Sequence, residues 1–164
     1  MGTQQRFEIV SFSFDQVDDS AQAMPFLFAE QKVLQHILDV RLAPNPFYID
    51  QLRELTGLDV AVKKFVLKHL TSETWVWMQS EIERFMRQVV LEGHSAPPVV
   101  LRFCFGCTGG RHRSVASAEH YYRALQSYLG AKCGQISIRH LQLERLGIVK
   151  PPPGSQAGII SPVQ

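Results

Sequence analysis

Apolar residues change their spacing several times along the chain, and each change marks an element. Residues 7–14 (Phe-Glu-Ile-Val-Ser-Phe-Ser-Phe) are rich in aromatic and β-branched types and predict a strand. Residues 15–31 are acidic and then mixed, the pattern of a surface insertion with a short apolar patch from Met24 to Phe28. A second strand is expected over 33–41, stopped by Pro44 and Pro46, which remove ladder donors. Asp59 stands where it can cap a helix over 60–70 with Val62, Phe65 and Val66 on one face. Thr71 or Ser72 opens a longer helix with Gly93 as its stop. Its apolar positions Trp75, Met78, Ile82, Phe85 and Val89 recur at helical spacing, which we read as a core stripe, the alternative being a groove built on Trp75 and Trp77. Pro97 and Pro98 lead into residues 99–105, an unbroken apolar run with buried-strand character. A glycine-rich turn follows, then a helix from about Ser114 to Leu129 with Val115, Ala118, Tyr122, Leu125 and Leu129 inward and Gly130 at its end. Residues 135–140 make a last strand.

Strand, helix and strand over residues 99–140 form a βαβ unit, which requires parallel pairing and a right-handed crossover. The expected fold is therefore α/β: one domain over 1–146, a mainly parallel sheet flanked by helices, with a phosphate-type loop between a strand and a helix. Residues 147–164, with Pro151-Pro152-Pro153-Gly154-Ser155, have the composition of a flexible tail. At 164 residues and 45% hydrophobic content, wholesale disorder and a second independent domain are both disfavoured.

The net charge of +2 hides an asymmetry: residues 1–100 carry 9 Lys+Arg against 13 Asp+Glu, or −4, and residues 101–164 carry 8 against 2, or +6. An anionic partner should meet the C-terminal third. Three cysteines (Cys104, Cys107, Cys133) are too few and too odd in number for a secreted disulfide framework. The N-terminus lacks the apolar stretch of a secretory signal, and no apolar run approaches the roughly 18 residues that span a bilayer. These features predict a cytoplasmic protein with no membrane association.

Chemistry concentrates in Gly106-Cys107-Thr108-Gly109-Gly110-Arg111-His112-Arg113-Ser114, between the buried strand and the helix. In an open parallel sheet, ligands bind beyond the carboxyl ends of strands. The glycines let the backbone turn tightly and approach a ligand. Successive N–H groups can converge on one anion, helped by the positive end of the helix dipole. Arg113 offers a planar fork, Arg111 and His112 add positive potential, and Thr108 and Ser114 offer hydroxyls. This favours a phosphate-sized dianion. It is not a Walker A loop, since the Gly-Lys-Ser/Thr ending is missing, so NTP hydrolysis is not expected.

The same residues admit other chemistry. Cys107 and Arg113 stand in the C-x5-R spacing of phosphatases with a cysteine nucleophile, for which Asp39 is the nearest leaving-group acid by strand logic. Cys104 and Cys107 also form C-x-x-C, but Cys104 falls within a buried strand, where a redox pair is not expected. Zinc would need Cys133, His112 or His140 at no recognisable spacing, so neither metal nor cofactor is expected. His36, His69, His94, His120 and His140 carry no motif by themselves.

Residues 106–115 (Gly-Cys-Thr-Gly-Gly-Arg-His-Arg-Ser-Val) resemble the signature of the C-terminal domain of the RapZ RNase adapter family. A second block agrees: Asp39-Val40-Arg41 with Pro44-Asn45-Pro46, then Leu55-Thr56-Gly57-Leu58-Asp59. Weaker matches are Ser11-Phe12-Ser13-Phe14, and Ile138-Arg139-His140 with Leu143-Glu144, so the likeness covers about residues 7–146. The resemblance implies a stand-alone version of a module that elsewhere follows a P-loop nucleotide-binding domain. It implies a sensor of a phosphorylated small metabolite, an amino-sugar phosphate such as glucosamine-6-phosphate, that acts through a protein partner and presents a regulatory RNA to an endoribonuclease. The matching ligand residues are Cys107, Thr108, Gly109, Gly110, Arg111, His112, Arg113 and Ser114, with Asp39, Arg41 and Asn45 as neighbours; an Asp at such a loop can hold a sugar hydroxyl or amine, or orient Arg41. The sequence departs from the pattern at Phe47, where the family often has His, and at Asp15, where it has Lys. The family's RNA binding leans on a basic C-terminal end. Here that end is Leu141-Gln142-Leu143-Glu144-Arg145-Leu146 with a nearly uncharged tail, so RNA binding is expected to be weakened, with Arg111, Arg139 and Arg145 left to carry it. Members self-assemble, so the resemblance leaves both a homo-oligomer and a monomer open for this single domain.

Overall fold

Strands β1 (Arg6–Ser13), β2 (Val33–Asp39), β3 (Val100–Cys107) and β4 (Ile136–His140) form one sheet in the order β2-β3-β1-β4, with every neighbouring pair parallel. The helices are α1 (Phe14–Asp19), α2 (Asp50–Arg53), α3 (Val60–Leu67), α4 (Ser72–Glu92), α5 (Arg113–Leu129) and α6 (Leu141–Arg145), with a 3₁₀ turn at Pro46–Tyr48. The coordinates are a computed structural model that describes residues 6–19, 33–92, 100–130, 135–151 and 153, without the side chains of residues 17–19 and 88–92. The expected stop at Gly93, the apolar patch Met24 to Phe28, Pro97 and Pro98, and the tail from residue 154 lie outside the described residues.

The expected α/β architecture is present, with one change in connection. The strands that flank α5 do not pair: β1 lies between β3 and β4, with Ile9 opposite both Phe103 and Ile138. All eight residues of β3 are buried, as its unbroken apolar run requires. The connections β2→β3 and β3→β4 run the same way across the sheet, so right-handed crossovers place α4 and α5 on one face. There Phe7, Ile9, Leu101, Phe103 and Phe105 pack against Met78, Ile82 and Phe85 of α4 and Ala118, Tyr121 and Leu125 of α5. Each of the Ile, Leu, Met and Phe side chains contributes roughly 1.5–3 kcal/mol by burial.

Two helix readings are corrected in detail. Tyr121, not Tyr122, is the inward aromatic of α5: it is 1% exposed and its ring stacks on Phe105 at 5.1 Å. Positions 118, 121 and 125 lie along one line of the helix, and Tyr122 is left at the edge. Asp59 precedes α3 but makes no side-chain cap; its carboxylate accepts instead from Thr56 N (2.8 Å) and Thr56 Oγ1 (3.0 Å). Trp75 packs on the core and stacks with Tyr121, and Trp77 sets its edge against Phe103, so the stripe on α4 is packing from Trp75 to Phe85.

The opposite face is mixed. Val10, Phe12 and Cys104 form a small apolar cluster. Beside it the buried Arg102 guanidinium donates to Glu8 Oε2 at 2.8 Å, and its strand partners on either side are Glu8 and Gln35. Cys104 and Cys107 are three positions apart in one strand and so point to opposite faces, which excludes them as a redox pair. Among the described residues no helix is long and apolar enough to cross a membrane.

His140, unremarkable in the sequence, is a buried cross-link. Its Nδ1 lies 2.8 Å from the Ser11 hydroxyl and its Nε2 3.1 Å from Glu119 Oε1, while Lys63 Nζ stands 3.5 Å from Glu119 Oε2. Ser11 is fully buried, so these four residues join β1, β4, α5 and α3 and present no nucleophile. The His140 hydrogen bond, with the Lys63 charge behind it, holds the Glu119 carboxyl below the usual carboxylate range against the opposing effect of burial. A carboxyl lowered on folding contributes stability that is complete above its unfolded value of about 4.3 and lost as pH falls through the folded value. Glu119→Gln should lose about 1–3 kcal/mol of unfolding free energy at pH 7. The difference from the parent should shrink towards pH 3; urea unfolding at both pH values checks this, and an equal loss at both would speak against it.

Candidate functional site

The two central strands, β1 and β3, send their chains onward in opposite directions, β1 towards β2 and β3 towards β4. Such a switch point opens a crevice beyond the carboxyl ends of the strands. The turn after β3 enters it. Gly110 has φ +65°, and a Cβ there would stand 2.8 Å from Ser13 Cβ and 2.9 Å from Gln142 Cβ, so only glycine lets the turn lie against the end of β1. Ser13 Oγ fixes the turn by donating to Thr108 O at 2.6 Å. Behind it the Cys107 thiol donates to Ser114 Oγ at 3.2 Å. No acceptor among the described residues takes the N–H groups of Gly109, Gly110, Arg111 or His112. The first amides of the 17-residue α5 follow them, at the positive end of its dipole.

The far wall comes from residues 41–55, held by the turn's own basic side chains. Arg111 Nε donates to Leu55 O at 3.1 Å and its Nη2 to Glu54 O. His112 Nε2 meets Arg53 O at 3.1 Å, and Arg113 Nη1 donates to Arg41 O (2.6 Å) and Ala43 O (3.0 Å). Gly57 closes the junction: its N–H donates to Arg111 O at 2.9 Å, and a Cβ on it would lie 2.4 Å from both Ala116 N and His112 O. Between the walls lies a cleft of about 240 Å³. Cys107, Gly109, Arg111, His112 and Arg113 line one side; Asn45, Phe47, Arg53 and Glu54 line the other.

Of the residues expected at a site, six therefore meet the cleft: Asn45, Cys107, Gly109, Arg111, His112 and Arg113. Thr108 is exposed beside it with its hydroxyl 3.4 Å from Arg113 Nη2, Gly110 is packed under the turn, and Ser114 sits behind Cys107. Asp39 and Arg41 do not line it. They pair with each other, Arg41 Nε to Asp39 Oδ1 at 3.0 Å and Nη2 to Oδ2 at 2.6 Å, and the Arg41 guanidinium covers the Phe14 ring at 4.3 Å. The Arg41 hydrogen bonds lower the Asp39 carboxyl below its ordinary range, which holds it ionised and unsuited to protonate a leaving group at neutral pH. Burial lowers the His112 imidazolium value, so the ring is neutral at pH 7. Arg53 and Glu54, which the sequence does not single out, complete the far wall, as does Phe47, named above only as a departure from the family pattern.

The turn, its seat at the switch point and the 39–59 block across from it all fall within residues 5–144, which match the profile of the RapZ C-terminal domain. The chain belongs to the RapZ C-terminal domain family. It is 34% identical over 113 residues to a protein of Petrotoga mobilis named a nucleotide-binding protein, covering 69% of this chain and 37% of that one. Proteins with the same description in Caldanaerobacter subterraneus subsp. tengcongensis (43% identical, 55% of this chain, 31% of that one) and Lactiplantibacillus plantarum (37% identical, 66% and 34%) are similar. The chain thus spans about a third of the length of these relatives. In this RapZ-type domain the cleft depends on backbone contact at Gly57. Gly57→Ala should destabilise the fold by about 1–3 kcal/mol, because backbone and not a flexible side chain must move. Thermal unfolding measures it; a Tm equal to the parent's would refute the contact.

Proposed function

We propose that this RapZ-type domain is a non-catalytic binding module for a phosphorylated small metabolite, a sugar phosphate, which it reports to a partner. The supporting observation is the state of Arg113. The side chain is 6% exposed, Nη1 is committed to two carbonyls, Nη2 has only the 3.4 Å contact to Thr108, and Nε is buried with no acceptor among the described residues. Nε and Nη2 form one edge of the planar guanidinium, the edge that matches two oxygens of a phosphate. A buried donor without a partner costs about 1–3 kcal/mol, which a ligand oxygen would remove. The unclaimed amides of Gly109 to His112 and the α5 dipole favour the same anion. The names of the relatives are consistent with a phosphate-bearing ligand, and action through a partner follows from the family resemblance.

Other readings draw less support. Cysteine-dependent hydrolysis wants a free acid, and Asp39 is engaged with Arg41 outside the cleft. An RNA adapter wants free cations, and Arg139 is held by Glu144 while Arg111 holds carbonyls.

Arg113→Lys separates ligand binding from scaffolding, because lysine can still donate to the carbonyls but has no second edge. Calorimetric titration with inorganic phosphate, hexose 6-phosphates and hexosamine 6-phosphates should show binding by the parent at millimolar concentration or better. The variant should bind tenfold or more weakly, and a circular dichroism melt establishes that it folds. No binding by the parent, or equal binding by the variant, would refute the assignment.

A further inference from the structure

The cleft has two chemically different ends. One is the anion end at Gly109 to Arg113. The other is flat and apolar: Phe47 lines the cleft and is half exposed, although the core gives it no packing partner. Arg53 lies over its ring at 5.4 Å and is itself fixed, its Nε donating to Phe47 O at 3.0 Å and its Nη2 to Asp50 at 2.7 Å. Tyr48, 80% exposed, sets its ring edge-on to Phe47 at 5.9 Å and widens the aromatic rim. Exposed apolar surface next to a polar cleft marks an interaction site. A ring held in place by a locked guanidinium is a preorganised stacking surface.

The edges of this surface are polar. Asn45 spends its side-chain oxygen on Phe47 N (3.2 Å), which leaves its amide NH₂ as a donor, and the exposed Glu54 carboxylate is an acceptor. The cleft of about 240 Å³ is roomier than a phosphate alone needs. A flat π-system with donors and acceptors on its rim covers the ring face fully and reaches the polar edges at once, whereas a pyranose offers the ring only the few C–H groups of one face.

We infer that the sugar phosphate taken by this cleft carries an aromatic base: a nucleoside 5′-monophosphate, with its phosphate at the Arg113 end and its base stacked on Phe47. The inference rests on the phosphate-binding reading above. Phe47 is then the residue that sets ligand selectivity.

Calorimetry with adenosine 5′-monophosphate, uridine 5′-monophosphate, ribose 5-phosphate and a hexosamine 6-phosphate tests it. The two nucleotides should bind tenfold or more tightly than ribose 5-phosphate, the gain of one base–aromatic stack. Phe47→Ala should bring that ratio to within about threefold, and Phe47→Tyr should preserve it; circular dichroism melts establish that both variants fold. A parent that binds ribose 5-phosphate or the hexosamine phosphate as tightly as the nucleotides, or a ratio that survives Phe47→Ala, overturns the inference and leaves the phosphate site standing. A parent that binds none of the four overturns both.

Discussion

Arg111, His112 and Arg113 reach from the start of α5 to five main-chain carbonyls of residues 41–55, and the cleft exists because they do. The 41–55 segment is otherwise a run of short turns with few buried side chains, Pro46 and Leu52 among them. Its carbonyls would face water or nothing. Guanidinium donors are worth roughly 1.5–3 kcal/mol each in such contacts, enough in sum to order a loop that its own packing would not. The segment in turn supplies Phe47, Arg53 and Glu54, the wall that converts an exposed turn into a bounded space. Gly57 permits the last approach, since any side chain would stand in the backbone of α5.

This explains what the sequence revealed and what it hid. The strands, the long helices and the turn at a strand's carboxyl end were all legible, because periodicity and glycine placement are local properties. The strand order was not. A βαβ pattern fixes direction and handedness but not how many strands the helix crosses, and β1, about ninety residues earlier in the chain, takes the place between β3 and β4. Tyr121 and Tyr122 are adjacent and similar, and only the phase set by Ala118 and Leu125 against Phe105 separates them.

The basic residues of the turn posed a harder problem. An arginine in a glycine-rich turn has the same one-dimensional signature whether it meets a ligand or the protein. The deciding acceptors stand 56 to 72 residues away in sequence. Asp39 and Arg41 were similarly ambiguous: both sit at the rim, but three side-chain hydrogen bonds between them satisfy one charge with the other. His140 showed nothing at all, because Ser11 and Glu119 are 129 and 21 residues from it.

The same geometry revises the meaning of the charge asymmetry. Residues 101–164 carry eight cations against two acids, but four of the eight are engaged within the fold. Arg102 pairs with Glu8 and Arg139 with Glu144, and Arg111 and Arg113 donate to carbonyls. The cleft itself is lined by Arg53, Arg111 and Arg113, beside the glycine turn that leads into α5. A positive potential built from fixed dipoles in a narrow space acts over a few ångströms and selects a small anion by geometry, whereas a spread of mobile lysines and arginines attracts a polyanion at long range and yields to salt. The proposed site is of the first kind, and the arginines engaged with Glu8, Glu144 and the carbonyls of residues 41–55 serve the fold as well.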